Sequence, residues 1–161
     1  MKKTIIIITM LFNLNVFADE AFSQLLKCEA TAVSKDSIKN ANPQICIDAA
    51  SLYKEKKNLT TDERKYYGEA YYNAGIMYTF GKGNKNYNKA YEMFLNAYKV
   101  GYGKKYSDVM HKLGYFTRYG EGTEKNKILA YKYYLEAAKM GNENSQNALD
   151  SLCKESPWAC K

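Results

Sequence analysis

Two serines stand three residues before a lysine, the spacing of nucleophile and activating base in enzymes that are acylated by β-lactams. The pairs are Ser51 with Lys54 and Ser151 with Lys154. Such an enzyme also needs a Ser-Asp-Asn and a Lys-Thr-Gly motif, and the sequence contains neither. Serine and lysine are common here, so the two pairs are close to what chance gives. We therefore predict no catalytic residue.

The other residues that could do chemistry are isolated from one another. His111 is the single histidine, and we expect it at the surface or partly packed. Gly81 and Gly83, and again Gly120 and Gly122, superficially resemble a phosphate-binding loop. No strand pattern precedes them and no Gly-Lys-Ser/Thr ending follows, so we expect them to end helices. No cofactor is predicted.

The four cysteines favour disulfides, because an even number in an oxidising compartment usually pairs. Among the three possible pairings, we favour Cys28–Cys46 and Cys153–Cys160, since a proline-containing turn lies within each pair. The alternative is a metal site. The cysteine spacings lack any Cys-x-x-Cys, so no metal is predicted.

The amino terminus predicts export. Lys2 and Lys3 precede a short apolar run, and residues 16–18 (Val-Phe-Ala) have the small-x-small pattern of a signal-peptidase site. The run is too short to span a bilayer. We expect residues 1–18 to be a signal peptide and the mature chain, without a membrane span, to be periplasmic or secreted.

The charge of the chain is moderately positive. The formal net charge is +7, which becomes +5 without the two lysines of the signal peptide. This balance favours acidic partners. Arg64 and Arg118 are the only arginines, and Lys54-Glu55-Lys56-Lys57 is the only basic run. Nucleic-acid binding usually needs arginine and clustered charge, so no nucleic-acid partner is predicted.

The strongest pattern is an internal repeat with two helical halves. Equivalent positions are Gly75/Gly114, offset by 39 residues, and Ala90/Ala130 and Gly101/Gly141, offset by 40. Such a period is typical of an α-solenoid, a fold whose surfaces usually bind other molecules. We therefore predict an all-α solenoid. A glycine within a helix costs about 1 kcal/mol relative to alanine, so we expect the second helix of each unit to cross the first at Gly75 or Gly114.

Capping signals place the ends of the helices. Residues 19–33 read as a helix and residues 34–42 as a polar connection, after which Asn42-Pro43 opens a second helix. Thr60 and Glu63 form a capping box for a long helix.

Within the repeats, Asn86 and Asn126 are predicted to cap the second helices. The glycines that follow the first helices, Gly81 included, are expected to be left-handed.

In this register of small residues the chain resembles the Sel-one-like repeat family, relatives of the tetratricopeptide repeats. The first unit carries Ala70, Gly75, Tyr78, Gly81, Gly83, Lys89-Ala90, Phe94, Ala97 and Gly101 of the family pattern. The second carries Leu113-Gly114, Gly120, Gly122, Ala130, Tyr133-Tyr134, Ala137-Ala138 and Gly141. Departures include asparagine for aspartate at 86 and 126 and an insertion at about 102–105. The resemblance implies an adaptor that holds another protein.

The repeat and the capping signals together predict five segments. They are a signal peptide (1–18), an N-terminal helical hairpin that resembles a degenerate repeat (19–66), repeat 1 (67–105), repeat 2 (106–141) and a C-terminal capping helix with a disulfide (142–161).

Solenoids of this kind bind through a concave surface lined by the first helix of each unit. The face away from Ala70, Ala74 and Leu113 therefore supplies the candidate protein-binding residues. In repeat 1 these are Glu69, Asn73, Ile76, Met77 and Phe80. In repeat 2 they are Asp108, Lys112, Tyr115, Phe116 and Tyr119. The alternative is that some of them pack between units.

The resemblance also suggests a role, because some small exported members look like immunity proteins. We expect a non-enzymatic, exported protein that binds another protein, in its sharpest form a periplasmic immunity protein that occludes a toxic effector enzyme. The alternative is an exported scaffold or host-interaction adaptor. A distant alternative is a weak β-lactam-binding hydrolase of the family's cysteine-rich branch. That branch pairs cysteines within each repeat, whereas both full repeats here lack cysteine.

Overall fold

The computed structural model describes residues 20–32, 35–101 and 106–161. Throughout these ranges the regular structure is helical, and they contain no strand. The predicted all-α solenoid class is confirmed. The predicted signal peptide at 1–18 and the predicted insertion at about 102–105 lie outside the described residues.

The described residues form eight α-helices and a terminal 3-10 turn. The helices are α1 (20–32), α2 (Lys35–Asn40), α3 (Pro43–Lys54), α4 (Thr61–Phe80), α5 (Tyr87–Val100), α6 (Tyr106–Tyr119), α7 (Lys127–Lys139) and α8 (Glu143–Glu155), and the 3-10 turn is Pro157–Cys160. Helices α4 with α5 and α6 with α7 make the two most extensive pairings, so each predicted repeat is a helical hairpin.

The N-terminal hairpin is tied together by the predicted Cys28–Cys46 disulfide. Asn42 caps α3 as expected, because its side chain accepts a hydrogen bond from the Gln44 amide. The sequence predicted only a polar connection at 34–42, and within it Lys35–Asn40 forms a short helix that was not predicted. An ion pair between Asp36 and Lys39 supports this short helix, and its Ile38 lines an apolar cavity against α4.

The two mid-helix glycines mark the helix crossings, as expected. A Cβ atom placed on Gly75 would lie 2.8 Å from the Phe94 ring on α5, and one on Gly114 would lie 2.7 Å from the Tyr134 ring on α7. Both approaches are shorter than van der Waals contact. Only glycine therefore allows these two helix pairs to approach so closely.

The predicted caps of the repeat helices are present, with one correction. Thr60 forms the capping box of α4, and the side chains of Asn86 and Asn126 cap α5 and α7. The glycines at 101, 120, 122 and 141 have positive φ. The expectation of a left-handed Gly81 was wrong, because its φ is −65°. The same expectation was wrong for Gly83, whose φ is not positive. Gly81 is needed instead for its size, since a Cβ there would lie 2.5 Å from the Met77 carbonyl oxygen.

One hydrophobic core runs continuously from the first repeat into the second. Phe94 of α5 lies 5.7 Å from Phe116 of α6, centroid to centroid, and Tyr87 and Tyr91 pack on the same Phe116 ring. The repeats therefore share their apolar surface, as stacked solenoid units must to bury it.

The C-terminal helix α8 packs against the second repeat and covers its end. Leu149 and Leu152 pack against Ala130 and Tyr134 of α7. The predicted Cys153–Cys160 disulfide closes the 3-10 turn onto α8. None of the helices that the structure describes is long and apolar enough to cross a membrane.

Candidate protein-binding groove

A cavity of about 310 Å³ opens between the C-terminal end of α4 and the middle of α6. We refer to it as the α4–α6 groove. Its lining consists of Thr79, Phe80, Lys85, Tyr87, His111, Lys112, Tyr115, Phe116 and Glu121. The groove thus draws on α4, the connection to α5, the first residue of α5, α6 and the loop after α6.

Glycine in the loop after α6 fixes one wall of the groove. Gly122 has φ +69°, and a Cβ on it would collide with the Tyr87 carbonyl. The loop therefore lies directly against the first residue of α5. This contact holds Tyr87 edge-on to Phe116, with ring centroids 5.8 Å apart.

Two ammonium groups lie near aromatic rings in the groove. Lys112 Nζ lies 5.6 Å from the centre of the Phe80 ring, and Lys85 Nζ lies 4.8 Å from that of Tyr87. Tyr119 extends the aromatic surface outside the groove, with its ring centroid 4.8 Å from that of Tyr115. Cations beside ring faces gain a modest electrostatic attraction, which orders the two lysines.

Burial changes the electrostatics of the groove wall. It lowers the pKa of His111, which the neighbouring Lys112 charge lowers further, and it also lowers the pKa of Lys112. Burial and the Glu121 carboxylate raise the pKa of Tyr115. His111 is therefore neutral at pH 7, and its Nδ1 lies 2.9 Å from the Ser145 hydroxyl of α8.

The Sel1 repeat model matches the chain twice, at residues 68–102 and 107–142. The chain is a Sel1-like repeat protein. Sel1 repeats generally mediate interactions between proteins, and the proteins that carry them are typically scaffolds without enzymatic activity. No curated protein and no solved structure matches the chain significantly.

Six of the ten predicted binding residues reach the surface. Phe80, Tyr115 and Tyr119 are exposed over 56%, 38% and 50% of their area. Ile76, Asp108 and Lys112 are half-buried. Phe80, Lys112 and Tyr115 meet in the α4–α6 groove, and Tyr119 lies beside it.

The other four predicted residues are buried. Met77 and Phe116 expose none of their area, and Glu69 and Asn73 expose less than a tenth. The prediction that these four residues present a contact face to a partner was wrong. Met77 and Phe116 show the reason most clearly. They occupy equivalent positions, and each packs on the unit before its own.

Contacts with the preceding unit explain that burial. Met77 Sδ lies 3.9 Å from Cys46 Sγ, and Asn73 Nδ2 lies 3.8 Å from Cys28 Sγ. The N-terminal disulfide therefore covers this face of α4, as the first Sel1 repeat covers Phe116 of the second.

Five groove residues were missed as binding residues by the sequence reasoning, namely Thr79, Lys85, Tyr87, His111 and Glu121. A signal existed for Tyr87. The second Sel1 repeat has Lys127 at the position equivalent to Tyr87. A position needed only for packing would more often carry the same type of side chain in both repeats.

The two serines considered as nucleophiles form hydrogen bonds within the fold. Ser51 Oγ donates to the Asp48 carbonyl at 2.7 Å, and Ser151 Oγ accepts from Arg118 Nη2 at 3.0 Å. Ser145, beside His111, is fully buried. Within the described ranges no group of three or more metal-ligating side chains comes together.

Proposed function

We propose that this Sel1-repeat protein is exported, binds a toxic effector enzyme in its α4–α6 groove, and blocks that enzyme's activity. One observation carries the proposal. Phe80 and Tyr115 line the groove with exposed aromatic rings, and the exposed Tyr119 ring packs beside Tyr115. Tyrosine is enriched at the few residues that dominate binding energy in protein interfaces, and those residues cluster in pockets.

The groove is already ordered for binding. Tyr115 packs on Phe116 and Tyr119, with centroid distances of 5.8 Å and 4.8 Å. Side chains held this way lose little rotamer freedom when a partner arrives, which favours affinity. A cavity of about 310 Å³ is at the small end of binding pockets, and it suits an inserted side chain of a protein better than a cofactor.

Two features support a location outside the cytoplasm. All four cysteines lie in disulfides, which persist in oxidising compartments and are rare in the cytosol. The amino-terminal pattern is that of a signal peptide. Two disulfides also suit a protein that holds an enzyme inactive in the periplasm.

Cross-linked capture followed by an enzyme assay tests the proposal. The disulfide-bonded protein is incubated with periplasmic extracts of producing and neighbouring strains, and captured proteins are identified by mass spectrometry. We expect one stoichiometric enzyme, inhibited by the wild-type protein but not by the Phe80→Ala/Tyr115→Ala variant. Capture of envelope or host proteins without any enzyme would instead support a scaffold or host-interaction adaptor.

The compartment is tested separately by protection. Cells that direct the captured enzyme to their periplasm should survive with the exported protein and die with a form lacking residues 1–18. Equal protection by the two forms would contradict the proposed location.

A further inference from the structure

A second cavity, of about 570 Å³, lies at the other end of α4 from the groove. It is enclosed by the end of α3 with the connection after it, the first half of α4 and the second half of α5. Arg64 lines this cavity and Phe80 lines the groove, so at the helical rise the two sites are about 24 Å apart along α4.

The lining of this cavity is strongly cationic, and we refer to it as the basic pocket. Its cationic side chains are Lys54, Lys56, Lys57, Arg64 and Lys99, against one carboxylate, Glu92. Five positive charges less one negative charge leave +4, more than half of the formal +7 of the whole chain.

Most of these cations form no ion pair among the described residues. Lys56 pairs with Glu63 of α4. The other four cations of the basic pocket form no ion pair with any residue that the structure describes. Like charges around a cleft repel one another and focus a positive potential inside it, so an anion bound there would relieve the repulsion.

The floor of the basic pocket is aromatic. Tyr67 and Tyr71 are half-buried, with ring centroids 5.1 Å apart. Burial and a hydrogen bond with Tyr67 raise the pKa of Tyr71. The Tyr71 phenol therefore keeps its proton at neutral pH. Leu59 and Val100 add apolar surface to the same lining.

We propose that the basic pocket binds an acidic segment of a protein partner. Asp or Glu carboxylates of the segment face Lys54, Lys57, Arg64 and Lys99, and its backbone lies over the two tyrosine rings. Folding assembles this site, because it brings the single basic run of the sequence beside one residue of α4 and one of α5. The assignment to a protein ligand rests on the proposed function. The pocket itself is separate from the groove.

Fluorescence anisotropy with a labelled peptide of alternating Glu and Gly tests this site. The Lys57→Gln/Arg64→Gln/Lys99→Gln variant removes three pocket charges. The matched Lys132→Gln/Lys139→Gln/Lys154→Gln variant removes three exposed charges elsewhere. We expect the pocket variant to weaken binding about tenfold, as three exposed charge contacts together would. We expect the matched variant to change it by less than about twofold. Thermal melts confirm that both variants fold.

Three outcomes would overturn the assignment. Equal weakening by both variants would show that only net charge matters. Equal affinity for a peptide of alternating Gln and Gly would show that the pocket does not recognise the carboxylates. Full displacement of the peptide by an equal concentration of inorganic phosphate would assign the basic pocket to phosphate. The Phe80→Ala/Tyr115→Ala variant should bind the peptide with unchanged affinity, so failure of the groove and failure of this pocket are told apart.

Discussion

Single residues decide how closely the helices of each repeat approach. Gly75→Ala removes the helix penalty of glycine, worth about 1 kcal/mol, but its Cβ would stand 2.8 Å from the Phe94 ring. We expect the clash to win, with a net loss of about 2 kcal/mol in the free energy of unfolding, measured by urea denaturation.

Gly83→Ala is the matched control for that change. A Cβ at Gly83 meets nothing within 4 Å, and its φ is not positive. Its stability should therefore stay within about 0.5 kcal/mol of the wild type. A Gly75→Ala protein as stable as Gly83→Ala would contradict the close crossing of α4 and α5.

The buried imidazole of His111 makes stability depend on pH. Its pKa is lowered from 6.5, chiefly by burial, so the unfolded chain binds the proton more tightly than the folded one. Stability is then fully present above pH 6.5 and is lost as the pH falls through that value. The loss cannot exceed about 1.4 kcal/mol per pH unit for one group. Urea unfolding between pH 7.5 and 5 measures it.

The His111→Asn variant separates this effect from the carboxylates. His111 is the single histidine of the chain, so the variant should lose most of the slope between pH 7 and 5.5. An unchanged slope would show that other groups cause it.

At the scale of elements, an ionic network fastens α8 onto the second repeat. Arg118 of α6 donates to the Ala148 carbonyl, the Ser151 hydroxyl and the Glu155 carboxylate. Hydrogen bonds from Lys127 and Arg118 lower the pKa of Glu155 to about 2, so this carboxylate stays charged in mild acid.

Removal of Arg118 should loosen the cap. The Arg118 side chain is 8% exposed and that of Glu155 is 49% exposed, so the loss for Arg118→Ala should be about 2 kcal/mol, below the range for a fully buried pair. Lys139→Ala, at an exposed site without a described ion pair, is the control and should be nearly neutral. Hydrogen exchange should show faster opening of α8 in Arg118→Ala alone. Equal exchange in both variants would refute the network's role.

The two disulfides should contribute differently to the free energy of unfolding. Cys28–Cys46 spans 18 residues and Cys153–Cys160 spans 7. Loop-closure entropy predicts losses of about 3 and about 2 kcal/mol when each pair is replaced by serine. Thermal unfolding of the two double variants measures the difference. A larger loss from the Cys153→Ser/Cys160→Ser variant would contradict this order.

The sequence predicted helix caps and helix crossings correctly where neighbouring residues determine them. The Asn86 and Asn126 caps and the mid-helix glycines follow from backbone hydrogen bonding and from size, which a sequence displays directly. Gly81 was misread because it leaves space beside the Met77 carbonyl oxygen, and the sequence alone does not distinguish that role from a left-handed cap. The short helix α2 was missed because Ile38 is placed by its packing near Ile76 of α4.

At the scale of the whole molecule, helix periodicity could not separate the binding face from the packing face. Met77 and Phe116 share a helix face with Phe80 and Tyr119, yet the first pair is buried and the second is exposed. The deciding factor is the preceding unit, which covers one edge of each first helix. Comparing equivalent positions in the two repeats identifies such core pairs once the stacking is known.

The stacked hairpins place two surfaces of different chemistry at opposite ends of α4. The α4–α6 groove presents aromatic rings with two lysines, and the basic pocket presents five cations beside tyrosines. A partner that reached both would need an apolar side chain and an acidic segment about 24 Å apart.

The central claim is that a protein partner occupies the α4–α6 groove. Photo-cross-linking in producing cells tests it most directly, with p-benzoylphenylalanine in place of Phe80 in one variant and of Trp158 in another. Trp158 is 61% exposed on the terminal 3-10 turn, so both probes are accessible. Our account predicts a discrete protein adduct from position 80 and none from position 158. An adduct from position 158 alone, or equally from both positions, would contradict it.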